Sequence, residues 1–281
     1  MLYGLTIFAT DYTLQPADVA RAAEERGFES LWLPEHTHIP AGGRTPWPGG
    51  PVMPKEYSHT YDPFVALTAA ATATRTLKVG TSICLIIQRD PIITAKEVAS
   101  LDNVSGGRFL FGIGAGWNVE EVEDHGTKFS RRFAVLRERV LAMRALWTQE
   151  EAEFHGRYVD FDKAWLYPKP LQKPHPPILM GGDSATTFDR VIEFCDGWIP
   201  ISRGGQPPPA IREKVLELRR RAEAAGRDPD AISVSVYTCP PSREVVDELA
   251  RAGVERVIFL LPSAEPAEVL KAMDERARLI R

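Results

Sequence analysis

Three short clusters of residues in this chain have the types and spacing to do chemistry. The first is Glu35-His36, with His38 two positions on. A carboxylate beside an imidazole suits general acid/base work, because histidine titrates near neutral pH and a neighbouring carboxylate can tune or orient it. The same pair also serves as a hydrogen-bonded structural element at a loop base. The second is Gly112-Ile113-Gly114-Ala115-Gly116-Trp117. It fails as a dinucleotide fingerprint because Trp117 stands where G-x-G-x-x-G needs its last glycine. Its glycines still allow close backbone approach to a flat ring, or form a tight turn with a packed tryptophan. The third is Gly181-Gly182-Asp183-Ser184, ahead of a helix expected from about Ala185. Backbone N–H groups and a serine hydroxyl there make an anion seat suited to phosphate, while Asp183 and Ser184 equally read as N-caps.

A metal reading of His36-x-His38 needs further ligands at the ends of later strands. Those ends carry Gly181-Gly182, Pro200-Ile201, Thr238-Cys239 and Pro262, and His125, His155 and His175 fall in connections. No metal is expected. Cys84, Cys195 and Cys239 are odd in number and far apart, which argues against a disulfide framework.

The elements that position these clusters alternate regularly. Eight apolar, β-branched runs read as strands at 2–9, 28–34, 77–84, 108–115, 176–182, 196–201, 231–238 and 254–262. Between them lie helical stretches. One opens at Pro16 and stops at Gly27, another begins near Pro63, and a third has Phe133, Leu136, Val140, Met143 and Trp147 on one face. The strands are nearly continuous apolar runs, as expected when helices cover both faces of a parallel sheet. Eight such units without a composition break predict an α/β fold, a single (β/α)8 TIM barrel over residues 1–281, in preference to an open doubly wound sheet. Two connections are long: residues 35–62 after strand two, rich in Pro and Gly, and about 149–175 before strand five, with a short hairpin at FHGRYVDF. The first reads either as a lid or wall on the substrate side, with Trp47, or as a proline-stiffened surface loop.

Lys and Arg number 34 against 38 Asp and Glu, a formal net charge of −4 spread along the chain. There is no basic footprint for nucleic acid or an anionic membrane. The first residues lack a basic n-region, and the longest strongly apolar stretch, VGTSICLIIQ, is far below the ~20 residues of a membrane helix. The expected location is the cytoplasm.

In order along the chain, Glu35-His36, DPFVAL, LKVGTSI, Pro91 with AKEVASLD, SGGRFLFGIGAGWN, the FHGRYVDF and PKPLQKPHPPILMGG block, and DGWIP resemble the luciferase-like monooxygenase superfamily. Within it they are most similar to the branch of coenzyme F420-dependent oxidoreductases, and the likeness spans nearly the whole chain. The resemblance implies a barrel enzyme that passes hydride between a deazaflavin (F420) and a small organic substrate at its C-terminal mouth. It further implies a non-prolyl cis peptide at Ser82-Ile83, in a bulge with Thr81 behind the ring. Gly112, Gly114 and Ala115 would be further ring contacts, Gly181 to Ser184 would seat the phosphate, and His36 would face the reacting side. Related sugar-phosphate dehydrogenases carry a catalytic glutamate where this chain has Trp117, so that substrate is not assigned. Trp32, Trp47 and Trp117 suggest an apolar pocket or ordinary core. The alternative on the same fold is a monooxygenase using reduced FMN from a separate reductase. A metal-dependent hydrolase and a non-catalytic flavin carrier are weaker readings, and members of the family are commonly homodimers.

Overall fold

The β-branched runs pair side by side as a parallel sheet that closes on itself. The computed structural model describes residues 1–202 and 208–280. In chain order the elements are β1 (Leu2–Thr6), α1 (Pro16–Glu25), β2 (Ser30–Leu33), α2 (Pro63–Thr72), β3 (Lys78–Thr81), α3 (Pro91–Val104), β4 (Phe109–Ile113), α4 (Val119–Asp124), α5 (Arg132–Thr148), the hairpin strands β5 (Ala152–His155) and β6 (Asp160–Ala164), β7 (Ile178–Gly181), α6 (Thr187–Phe194), β8 (Gly197–Ile199), α7 (Pro208–Ala224), β9 (Ser233–Tyr237), α8 (Arg243–Arg251), β10 (Arg256–Leu260) and α9 (Pro266–Ala277). Eight strands form a closed barrel in the order β1-β10-β9-β8-β7-β4-β3-β2, every pairing parallel. This is the expected (β/α)8 TIM barrel. The β5–β6 hairpin stands apart as a two-stranded sheet at the position of FHGRYVDF.

Local chemistry sets the helix starts. Asp62 accepts from the N–H groups of Phe64 and Val65 and Asp90 from those of Ile92 and Ile93, each followed by proline at the first helical position. Gly27 ends the α1 turn at φ +83, a conformation that favours glycine.

The barrel interior is filled by Trp32, Leu110, Leu179, Ile199 and Ile258, with Tyr237 packed against them. Trp32 therefore does not line a pocket. It is fully buried, its indole N–H donates to Ser30 Oγ at 2.8 Å, and a Cβ on Gly80 would stand 2.5 Å from its ring. At the start of β10, Arg256 is 2% exposed and holds Glu29 through two bonds of 2.8 Å. The larger apolar layer lies outside the barrel, between strands and helices.

Strand β3 is shorter than the apolar run 77–84 predicts. After Thr81 the chain bulges through a cis Ser82-Ile83 peptide, and Cys84 rejoins the sheet by a bridge to Ile113. The three cysteines are buried and free. Among the described residues no helix is long and apolar enough to cross a membrane.

Candidate active site

Loops that follow barrel strands gather at one mouth, and two connected cavities open there. The outer chamber, of about 540 Å³, is walled by aromatic and aliphatic side chains together with His36. An inner cleft of about 260 Å³ runs from Ile83 past Gly114–Trp117 to Gly181–Ser184. Ser82, Ile83, Gly116, Trp117, Ile201 and Tyr237 border both, so the cis peptide sits at their junction.

The glycines of β4 and β7 shape that junction. A Cβ on Gly114 would lie 1.9 Å from Ile83 Cδ1, and one on Gly181 would lie 2.7 Å from Ile83 Cγ2. Gly112 plays a different part from the one expected. Its carbonyl accepts from Cys84 N (2.8 Å) and Thr81 Oγ1 (2.7 Å), and a Cβ there would meet the Thr81 carbonyl at 2.0 Å. Thr81 is fully buried, and neither Thr81 nor Gly112 borders the cleft. They hold the bulge from behind, while Ser82, Ile83, Gly114, Ala115 and Gly181 to Ser184 line it. The Ser82 hydroxyl is buried at this junction beside the Tyr237 hydroxyl, with which it interacts without a well-aligned hydrogen bond.

At the far end of the cleft the α6 helix begins later than Ala185, at Thr187 with Thr186 as its N-cap, so Asp183 and Ser184 are not caps. Thr187 Oγ1 accepts from Ser184 N at 2.9 Å and lies 2.9 Å from Ser184 Oγ. Arg190 reaches Ser184 Oγ at 3.3 Å, and Asp183 pairs with Lys214. Phe133 forms the outer wall with the guanidinium groups of Arg190 (3.8 Å) and Arg132 (4.6 Å) over its ring. Burial, with Arg132 nearby, pulls the Arg190 pKa down. Among the described residues neither arginine has a carboxylate partner in an ion pair, although the charge of Asp189 acts on Arg190, and the cleft ends in the Ser184 and Thr187 hydroxyls with Arg190 reaching the first.

Glu35 and His36 part company. Glu35 is 4% exposed, and its carboxylate accepts from Leu85 N (2.6 Å) and Arg89 Nε (2.6 Å). His36 turns the other way, with Nδ1 2.8 Å from Glu121 Oε2. Glu121, on α4, is 1% exposed, and its other oxygen accepts from Thr37 N at 3.2 Å. The expected tuning of His36 by Glu35 is thus corrected: sequence neighbours alternate in direction at the end of β2, and the carboxylate that meets the imidazole comes from helix α4. A carboxylate acceptor places the proton on Nδ1 and leaves Nε2 as the ring's free atom. His38 pairs instead with Asp124 at 3.0 Å, and no group of three or more His, Cys, Asp or Glu among the described residues is placed to hold a metal ion.

Residues 35–62 fold over the mouth. Thr45 and Arg44 are tied to the Glu120 carboxylate, whose pKa these hydrogen bonds hold down at about 2. This places Trp47 and Tyr57 in the chamber wall with Trp117. Tyr57 lies 4.6 Å from Phe8, 5.0 Å from His36 and 5.8 Å from Trp47 between ring centroids, and Trp117 stands edge-on to His36 at 5.9 Å. Tyr237 closes β9 and Phe8 follows β1 by two residues, strand-end positions that carry no motif, whereas Tyr57 and Glu121 escape a reading of strand ends altogether. Tyr57 comes from mid-loop, and Glu121 lies three residues into a helix.

A parallel barrel whose mouth joins a glycine-walled cleft to an aromatic chamber holding a carboxylate-paired histidine is an arrangement suited to chemistry at the strand ends. The family model of the luciferase-like monooxygenases matches residues 14–279, and the chain belongs to that family. Membership supports an enzyme of oxidoreductase or monooxygenase type. An uncharacterized protein of Mycobacterium tuberculosis is 41% identical over 271 residues, covering 93% of this chain and 92% of its own. An FMNH2-dependent dimethylsulfone monooxygenase of Pseudomonas putida is 31% identical over 193 residues, 68% of this chain and 51% of its own. The structure of an F420-dependent secondary alcohol dehydrogenase in complex with an F420–acetone adduct superposes with a TM-score of 0.77 at 21% identity, covering 99% of this chain and 98% of that one. Relatives and structural neighbours thus include both deazaflavin- and flavin-dependent proteins.

Proposed function

We propose that this protein is an oxidoreductase that transfers hydride between a bound deazaflavin, coenzyme F420, and a small organic substrate held in the outer chamber. The observation that carries this reading is the buried His36–Glu121 pair beside the cis-peptide junction. Hydride addition to a neutral carbonyl, enone or imine must be matched by one proton, and a carboxylate-held imidazole is suited to move it.

The residues fit the cofactor. Gly114 and Gly181 leave Ile83 packed directly against backbone at the cleft floor, where the Ser82 and Tyr237 hydroxyls offer polar groups to a ring. Ser184, Thr187 and Arg190 at the far end suit a phosphate group. When bound, F420 supplies the hydride donor or acceptor. In the oxidising direction His36 Nε2 takes the proton of the substrate hydroxyl, and Glu121 balances the imidazolium that forms. In the reducing direction the same atom returns it. Trp47, Tyr57 and Trp117 exclude water from the reacting side.

A second reading is an FMN-dependent monooxygenase supplied by a separate reductase, favoured by the 31% identity to the dimethylsulfone enzyme. A homodimer is proposed with either. Titration with F420 and separately with FMN, followed by tryptophan fluorescence, tests the choice. Tight F420 binding with weak FMN binding is expected. The reverse order replaces hydride transfer by oxygenation, and binding of neither refutes both.

A further inference from the structure

The lining of the outer chamber is informative about charge as well as shape. Phe8, Trp47, Tyr57 and Trp117 surround it, with Leu85, Ile201 and Leu260 filling the gaps. No lysine or arginine is among its described lining residues. The carboxylates that reach it or stand behind it are already used: Glu35 is bound by Arg89 and the Leu85 amide, and Glu121 by His36 and the Thr37 amide. This contrasts with the far end of the inner cleft, where Arg190 reaches the Ser184 hydroxyl and Arg132 lies over the neighbouring Phe133 ring. The molecule therefore keeps anion recognition and apolar recognition in separate compartments.

We infer that the substrate is a neutral, flat, largely apolar molecule, a ring-bearing ketone, enone or the corresponding alcohol, with no phosphate or carboxylate. An anion in the chamber would be desolvated with no lysine or arginine among the described lining residues to receive it, the Arg89 guanidinium being held by Glu35, Asp62 and Glu97. Rings set edge-on around the space offer faces and edges to a flat partner. The loop backbone braces Trp47 in this wall. Gly50 N donates to the Trp47 carbonyl at 3.3 Å, and a Cβ on Gly49 would stand 2.4 Å from the indole, so the chain lies against one face of the ring. One carbonyl or hydroxyl on the substrate meets His36. This inference deepens the proposed function and rests on it for the identity of the reacting group, whereas the charge and shape selection is a property of the chamber itself.

Three probes sharing one ring system test it: 2-acetylnaphthalene (neutral), 2-naphthoate (anionic) and a (2-naphthylmethyl)trimethylammonium salt (cationic). Binding to the cofactor-free protein is measured by equilibrium dialysis, with F420 and FMN titrated in parallel. The ketone is expected to bind roughly 100-fold tighter than the carboxylate, the scale of an uncompensated buried charge. Trp47→Ala and Tyr57→Ala are each expected to weaken ketone binding about tenfold without changing the dissociation constant of whichever cofactor binds. The inference is overturned if the carboxylate binds as well as the ketone, if the ammonium probe binds best (an aromatic cage for cations), or if the ketone does not bind or ignores both substitutions. Failure of the cofactor titrations with the probe order intact would instead sink the hydride-transfer reading and leave the chamber's selectivity standing.

Discussion

The Nδ1 atom of His36 lies 2.8 Å from Oε2 of Glu121, a residue 85 positions away on α4, the helix that follows β4, while the adjacent Glu35 faces Arg89. The pair proposed to move the substrate proton is therefore assembled from the segments after β2 and β4 and exists only in the closed barrel. In the proposed role its carboxylate accepts from Nδ1 and would balance the charge when the ring takes a second proton.

Glu121→Gln preserves size and burial but removes that charge. Turnover is expected to fall about 10- to 100-fold, and His36→Ala to lower it by about 100-fold or more, with cofactor affinity near wild type in both. Steady-state kinetics beside fluorescence titration separates the two effects. Equal losses in cofactor binding would make the pair structural.

Glu35→Gln separates the two carboxylates. The Arg89 guanidinium, which also pairs with Asp62 and Glu97, would lose its buried partner, so the expected outcome is about 3 kcal/mol less stability with the pH–rate profile unmoved. Urea denaturation reads the first and kcat against pH the second. A shifted pH profile in folded protein would restore Glu35 as the group that tunes His36.

How far the sequence foretold this site follows from the range of the interactions. The eight strands, the two long connections and the hairpin were legible because apolar runs and Asp-Pro or Gly punctuation are local signals, read within a few residues. Asn118-x-x-Glu121 has capping-box spacing, and Asn118 does accept from Glu121 N at 3.1 Å. The glutamate side chain leaves the box for His36, which no local pattern records. Gly112 and Gly114 look alike in sequence, yet one backs the bulge and the other faces the cleft, because the chain bends away from the strand between them, after Ile113. The cis Ser82-Ile83 peptide was expected from the family likeness alone.

Gly114→Ala tests the bulge. The added methyl would stand 1.9 Å from Ile83 Cδ1, so the end of the Ile83 side chain must swing away and change the cleft floor. Cofactor binding is expected to weaken by at least about tenfold, with overpacking costing about 1–3 kcal/mol of stability. Gly42→Ala is the control, since a Cβ there meets nothing within 4 Å. If both variants bind cofactor like wild type, the cleft is not its seat.

The base of the barrel makes a prediction about acid. Burial opposes ionisation of Glu29, but hydrogen bonds and the charge of Arg256 outweigh it and hold the folded-state pKa at about 2, below the ordinary 4.5. A depressed carboxylate pKa contributes stability that is complete above the unfolded-state value and is lost as pH falls through the folded one. For Glu29 the window runs from about 4.5 down to about 2, and the shift corresponds to about 3 kcal/mol. Glu29→Gln should therefore be destabilised at pH 7, with a flatter fall in stability between pH 4.5 and 2 than the wild type, because one titrating group has been removed. Urea midpoints across that range measure it. Parallel wild-type and variant curves would mean that Glu29 titrates alike in the folded and unfolded chains, and that Arg256 holds the barrel floor by packing on Trp32 rather than by its charge.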